Sequence, residues 1–152
     1  MIEYRIAEKE DIELVMSSRM EMLRVVNSLD EDYQFSDEFT IDCKRFFLNG
    51  DQTTVLAMDG DTVVGCASIC YYALMPTFSH PAGKRAYLMN VYTKDSYRRM
   101  GIAKKMVSML IEEAWARETT EISLDATESG RILYQRLGFV DSDECMVLDN
   151  MK

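Results

Sequence analysis

Apolar and polar positions alternate from Ile2 to Ile6, with Ile2, Tyr4 and Ile6 set against Glu3 and Arg5. That period of two predicts a short strand. The period then changes. From Asp11 to Leu29 the apolar residues Ile12, Val15, Met16, Met22, Leu23 and Val26 fall on one helical stripe. A second helix is predicted over Asp37 to Leu48, with Ser36 as N-cap, Asp37 and Glu38 in the first turn and Gly50 beyond its end. Thr53 to Met58 and Thr62 to Tyr71 read as strands joined by the Asp59-Gly60 turn. Leu74 to Gly83 holds both prolines and the one histidine, His80, and reads as loop. Arg85 to Thr93 is a further strand, rich in aromatic and branched residues. Gly101 to Arg117 follows as a helix with Ala103, Met106, Val107, Leu110 and Ala114 on its apolar face. Glu121 to Asp125 is a buried-type strand, Ser129 to Leu137 a helix closed by Gly138, and Glu144 to Leu148 a last strand. The predicted order is β-α-α-β-β-β-α-β-α-β: an α/β mixed sheet flanked by helices, with residues 1–152 forming a single domain.

Charge narrows the partners. Seventeen basic residues against 26 acidic ones leave a net charge of −9, which repels a nucleic-acid backbone, so no nucleic-acid partner is expected. No stretch approaches the roughly 20 apolar residues of a membrane span. The opening MIEYRIAEKE is acidic and alternating where a signal peptide is basic and then apolar. A cytoplasmic protein without membrane attachment is the expectation. The four cysteines (Cys43, Cys66, Cys70, Cys145) show no CxxC spacing, and Cys66 and Cys70 on one extended strand stand too far apart to bridge comfortably. Reduced core thiols and no metal site are therefore expected.

The chemistry concentrates between Lys84 and Met106. A strand runs into a turn containing Arg98, Arg99 and Gly101, and a helix starts at once. Free N–H groups at a helix start, with a glycine permitting close approach, suit an anion, and Lys104 and Lys105 add positive charge. From this local pattern alone, a phosphate-bearing ligand and a solvated basic helix start are both open. GxxxxGK[ST] and GxGxxG are absent. The segment Arg98-Arg99-Met100-Gly101-Ile102-Ala103 instead resembles the coenzyme A loop, [Q/R]-x-x-G-x-[G/A], of the GCN5-related N-acetyltransferases. It follows the strand segment Val91-Tyr92-Thr93, and Leu133-Tyr134-Gln135-Arg136-Leu137-Gly138-Phe139 is similar to the family's second signature. Element order and spacing match across nearly the whole chain.

The resemblance implies a splayed sheet in which the main chain of Asn90, Val91, Tyr92 and Thr93 holds the pantetheine arm and thioester of acetyl-CoA. It implies that backbone N–H groups from Arg99 through Met100, Gly101 and Ile102 to Ala103 cradle the pyrophosphate. Arg98 would form part of that wall and Lys104 would add charge. Tyr134 matches the family's acid for the leaving thiol, since a phenol stays protonated at neutral pH; a core tyrosine packed on Leu133 and Phe139 is the alternative. Many members place a Glu on the strand before the loop, where this chain reads Met89-Asn90-Val91, and an Asn near the end of the following strand, where it reads Asp125-Ala126-Thr127. Asp125 either orients a water or the acceptor, or caps the next helix. The implied activity is transfer of acetyl from acetyl-CoA to a primary amine of a small molecule or peptide. A non-catalytic acyl-CoA-binding sensor or interaction module stays open because that Glu and Asn are missing.

On the acceptor side, Arg19 falls in the middle of the first helix's apolar stripe. It either meets an acceptor carboxylate or snorkels to an internal acid. The run Asp30, Glu31, Asp32, Asp37 and Glu38 is either a solvated surface or the mouth of a groove for a cationic acceptor. The sequence leaves the oligomeric state open; the final strand could pair with a second copy, giving a homodimer, if it forms an exposed edge.

Overall fold

A computed structural model describes residues 1–150. The chain runs through β1 (Ile2–Ile6), α1 (Ile12–Val26), α2 (Asp37–Asn49), β2 (Gln52–Asp59), β3 (Thr62–Ala73), β4 (Lys84–Thr93), α3 (Ile102–Ala116), β5 (Glu121–Ser123) and α4 (Arg131–Arg136). The strands lie in the order β1-β2-β3-β4-β5, antiparallel up to β4 and parallel between β4 and β5. This is the mixed α/β sheet expected from the hydrophobic pattern.

The two faces of the sheet are covered by different helices. On one face Val55, Ala57, Val64, Ala67, Ile69, Ala86 and Leu88 pack against Ile102, Met106, Val107, Leu110 and Ala114 of α3. On the other, Leu56, Met58, Cys66 and Tyr92 meet Val15 and Met22 of α1. Gly65 brings α3 close: a Cβ there would stand 3.0 Å from the Tyr92 carbonyl oxygen, 3.1 Å from Met106 Cε and 3.3 Å from Ile102. The start of α3 is thereby pressed onto the sheet beside the end of β4. Ile102 is buried and Ala103 only half so, which turns the predicted face of α3 by one position at its start.

The fold corrects several expectations. The last strand, Glu144 to Leu148, does not form; Met146 and Leu148 are 94% and 98% exposed. A strand exists only as part of a ladder, and Cys145 to Leu148 lack the alternation that would seat one face on a core. The edge through which a homodimer could pair is therefore not formed among the described residues. The strand predicted to reach Asp125 stops at Ser123, because its pairing with β4 covers only Arg85 to Tyr87. Asp125 also caps no helix: the N-cap of α4 is Gly130, whose N–H is held by Thr127 Oγ1 at 3.2 Å. All four cysteines are free thiols, but only Cys66 is buried and Cys145 is exposed, so the core-thiol reading holds for Cys66 alone. Among the described residues no helix is long and apolar enough to cross a membrane.

Candidate active site

The parting of β4 from β5 creates the site. β4 runs on from Leu88 to Thr93 after its last β5 partner, Tyr87, and that edge of β4 has no neighbouring strand among the described residues. At the same point β4 bulges: Cys66 pairs with Tyr92 but Ser68 with Met89, so Asn90 and Val91 face the single residue Ala67. Asn90 takes the left-handed conformation (φ 59°), which asparagine tolerates better than most residues. Thr93 Oγ1, at the end of this free edge, is buried and has no hydrogen-bond partner. A buried hydroxyl without a protein partner leaves room for a hydrogen bond from a ligand or a water at this edge.

Beyond Thr93 the chain turns through Arg99 (φ 65°) and Gly101 (φ 77°) into α3. The first intrahelical bond is Lys105 N–H to the Gly101 carbonyl, 3.1 Å. The N–H groups of Ile102, Ala103 and Lys104 therefore point out of the helix end. A Cβ at Gly101 would meet no atom within 4 Å, so the space above the turn is open. Arg99, Lys104 and Lys105 are exposed around it, while Arg98 is turned back, its Nε donating to the Thr93 carbonyl (3.3 Å) and its guanidinium 3.4 Å from Asp95. The donors, open approach and positive charge fit a diphosphate.

Tyr134 is half-buried on the α3 side of the sheet. Its helix ends in a Schellman turn, with Phe139 N–H on the Tyr134 carbonyl (3.0 Å), Gly138 N–H on Gln135 (3.1 Å) and Gly138 at φ 102°. The apolar contact that accompanies such a turn is here the edge-on pair of Tyr134 and Phe139, with centroids 5.8 Å apart. The ring is thus fixed, while its hydroxyl has no side-chain partner among the described residues. Burial pushes its pKa above the usual phenol range.

Asp125 lies just past β5, exposed, and accepts a 2.5 Å hydrogen bond from Tyr87. Burial and that bond push Tyr87 up to about 12, so Tyr87 keeps its proton and remains the donor. His80 is far from this gap in register: it bonds Thr120 (2.8 Å) and approaches Glu121 (3.4 Å), tying the 74–83 loop to the opposite end of β5.

The α1 face carries a chain of hydrogen bonds that the sequence did not announce. Thr54 Oγ1 donates to Gln52 Oε1 (2.6 Å), so at its 2.7 Å contact with Ser68 it must accept. Ser68, having donated its proton, accepts from Asn90 Nδ2 at 3.1 Å. The side-chain oxygen of Asn90, Oδ1, is left for Arg19, whose Nη1 donates to it at 3.2 Å. Beside it, Ser18 Oγ donates to Cys66 Sγ (3.0 Å), and burial pushes that thiol up to about 11. Glu21 takes Tyr92 at 2.8 Å and Lys94 at 2.7 Å. The acidic run is exposed, Asp30, Glu31 and Asp32 on the α1–α2 connection and Asp37 and Glu38 in the first turn of α2. Arg19, Cys66, Asn90 and Tyr92 had drawn notice in the sequence, but Gln52, Thr54, Ser68, Ser18, Glu21 and Lys94 had not. An asparagine inside a strand of aromatic and branched residues was the one available signal for the bulge.

Solved structures share this fold. A predicted acetyltransferase from Clostridium acetobutylicum, crystallised with acetyl-CoA, is 30% identical, with 98% of this chain and 96% of that one covered and a TM-score of 0.85. A GCN5-related N-acetyltransferase from Ralstonia eutropha JMP134 shares the fold at 24% identity and a TM-score of 0.80, covering 98% and 99% of the two chains. An aminoglycoside acetyltransferase from an uncultured soil metagenomic sample, in complex with sisomicin, shares the fold at 12% identity and 0.74, covering 99% and 95%. No functionally curated protein matches in sequence. The model of the acetyltransferase (GNAT) family matches residues 17–139, from the first helix to the Schellman turn, and the chain belongs to that family.

Proposed function

We propose that the protein is an acetyl-CoA-dependent N-acetyltransferase whose acceptor is a primary amine. The observation that carries this reading is the free β4 edge ending at the orphaned Thr93 hydroxyl beside the open N-terminus of α3. Acetyl-CoA supplies an activated acetyl thioester. The main chain of Asn90 to Thr93 would hold its pantetheine arm, and the N–H groups from Arg99 to Ala103 its diphosphate, with Lys104 adding charge. Holding the thioester beside the amine converts a two-molecule encounter into a positioned one.

Transfer to an amine requires that nitrogen lose a proton and that the departing sulfur gain one. Tyr134 is suited to the second task, since its fixed ring presents a protonated, otherwise unpartnered hydroxyl. Asp125 is suited to the first: held by Tyr87 at the strand end, it can receive the ammonium or a water that relays its proton. In the experiment, acetyl-CoA is expected to raise the melting temperature. Gly101→Val, which strains a φ of 77° and fills the open approach, is expected to abolish most of that shift. Release of CoA thiol across a panel of amines then tests transfer. Binding with no turnover on any amine would favour the non-catalytic acyl-CoA sensor, and no shift at millimolar acetyl-CoA would sink the coenzyme assignment.

A further inference from the structure

Arg19 is half-buried, yet no acid stands within ion-pairing distance of it among the described residues. That is an unusual economy in a chain with 26 acidic residues. Burying a guanidinium costs solvation that a neutral amide oxygen recovers only in part. The Gln52–Thr54–Ser68–Asn90 chain explains how it is held: with Ser68 committed to Thr54, the amide of Asn90 can present only its oxygen to Arg19. Arg19 is thus positioned by one neutral contact, and its full charge and remaining donors stay available.

The same face of the sheet leads from Arg19 to Asp125. Cys70 pairs in register with Tyr87 and its thiol lies 3.8 Å from Met89 sulfur, so Cys70 and Met89 form a low-polarity floor on the side where Tyr87 reaches Asp125. Met89 is exposed, so the floor is open from above. Arg19 bonds the side chain of Asn90, the residue after Met89, which puts the guanidinium at one end of this floor. The carboxylate of Asp125 marks the other end. Tyr87 and Asn90, the β4 residues that hold these two ends, stand three residues apart, roughly 10 Å along the strand.

We infer that the acceptor is an amine that also carries a carboxylate across a short spacer, an ω-amino acid or a dipeptide, with its carboxylate on Arg19 and its amine directed to Asp125. This rests on the transferase reading and names its substrate class. A bidentate pair with the guanidinium would take the place of the missing internal acid. Asn90 is then a positioning residue, acting through Arg19.

The test compares glycylglycine with its C-terminal amide and with a diamine of similar length, following CoA release. Wild-type protein is expected to favour the acid over the amide by about 10- to 100-fold in kcat/KM, the effect of a charge-assisted pair. Arg19→Gln is expected to bring that ratio close to one. Asn90→Asp keeps a residue type that tolerates φ 59° but places a carboxylate on Arg19. It is expected to raise KM for the acid much more than it lowers kcat, an effect that a merely structural asparagine would not produce. Equal use of acid and amide by wild type, preference for the diamine, or a preference that survives Arg19→Gln overturns the inference. If no amine is acetylated, the transferase reading has failed separately. The inference is then judged by melting-temperature shifts in the presence of CoA: a larger shift with the acid, lost in Arg19→Gln, upholds it, and equal shifts end it.

Discussion

The two faces of the sheet are built from different materials. Against α3 the buried layer is mostly apolar, with Val55, Ile69, Met106, Val107 and Leu110 closed to solvent and Thr53, bonded to the Tyr71 hydroxyl, at its margin. Against α1 the layer is broken by Thr54, Ser68, Asn90 and Ser18, each buried and each hydrogen-bonded. Apolar packing is non-directional and tolerates many arrangements, whereas a satisfied polar chain admits one orientation for each member. The α3 face therefore holds the sheet and presents the helix end that suits a diphosphate. The α1 face sets the direction of individual side chains, which is what discrimination between acceptors needs.

Tyr134 offers the sharpest way to break that division, because it packs on the dry side and yet is assigned a chemical task. Tyr134→Phe keeps the ring on Phe139 and removes one oxygen, so stability and acetyl-CoA affinity are expected to hold while kcat falls by about 10²- to 10⁴-fold. Because burial raises the phenol above its ordinary range, wild-type kcat is expected to keep its proton-donating group until pH exceeds about 10. That alkaline limb should vanish in the variant. Kinetics equal to wild type with the best acceptor would return Tyr134 to the packing layer.

Leu110→Ala tests the dry face as scaffold. Leu110 is fully buried, and the cavity left behind is expected to cost about 2–5 kcal/mol in urea unfolding. Under conditions where the variant is folded, its KM values should match wild type. A selective change in acceptor KM would mean that the α3 face also reads the substrate.

The smallest effect belongs to Glu21 on the α1 face. Burial pushes its carboxyl up, but the hydrogen bonds from Lys94 and Tyr92 and the Lys94 charge outweigh it and hold the pKa below the ordinary 4.5. The folded state therefore binds this proton less readily than the unfolded one. Its stabilisation is fully present above pH 4.5 and is lost as pH falls through the lower folded value. Both partners are partly exposed, so the pair is expected to contribute about 0–1 kcal/mol. Glu21→Gln should flatten the acid side of the stability curve by that amount, and an unchanged curve would show the pair to be neutral.

Strand and helix periods, turn residues and the two signature segments were readable because each rests on neighbours within a few residues. Gly101 at the helix start, Ser36 as the cap of α2, and the Leu137-Gly138-Phe139 turn all stand where local chemistry puts them. Local pattern also misled: Cys145 to Leu148 read as a strand, yet strand formation depends on a partner that residue order cannot supply. Asp125 read as a strand end or a cap and proved to be neither.

What the sequence determined by itself was the order of elements, the apolar stripes and the place of the glycine turn that opens α3, since all of these follow from spacing along the chain. What only the tertiary structure decided was the parting of β4 from β5 after Tyr87, the left-handed bulge at Asn90, and the pairing of Tyr87 with Asp125. It also decided which way the Asn90 amide faces, because that depends on Ser68 on β3 and then on Thr54 and Gln52 on β2, strands that meet only in the folded sheet. A hydrogen bond is directional and needs both partners in register, so its geometry exists only once the strands have paired.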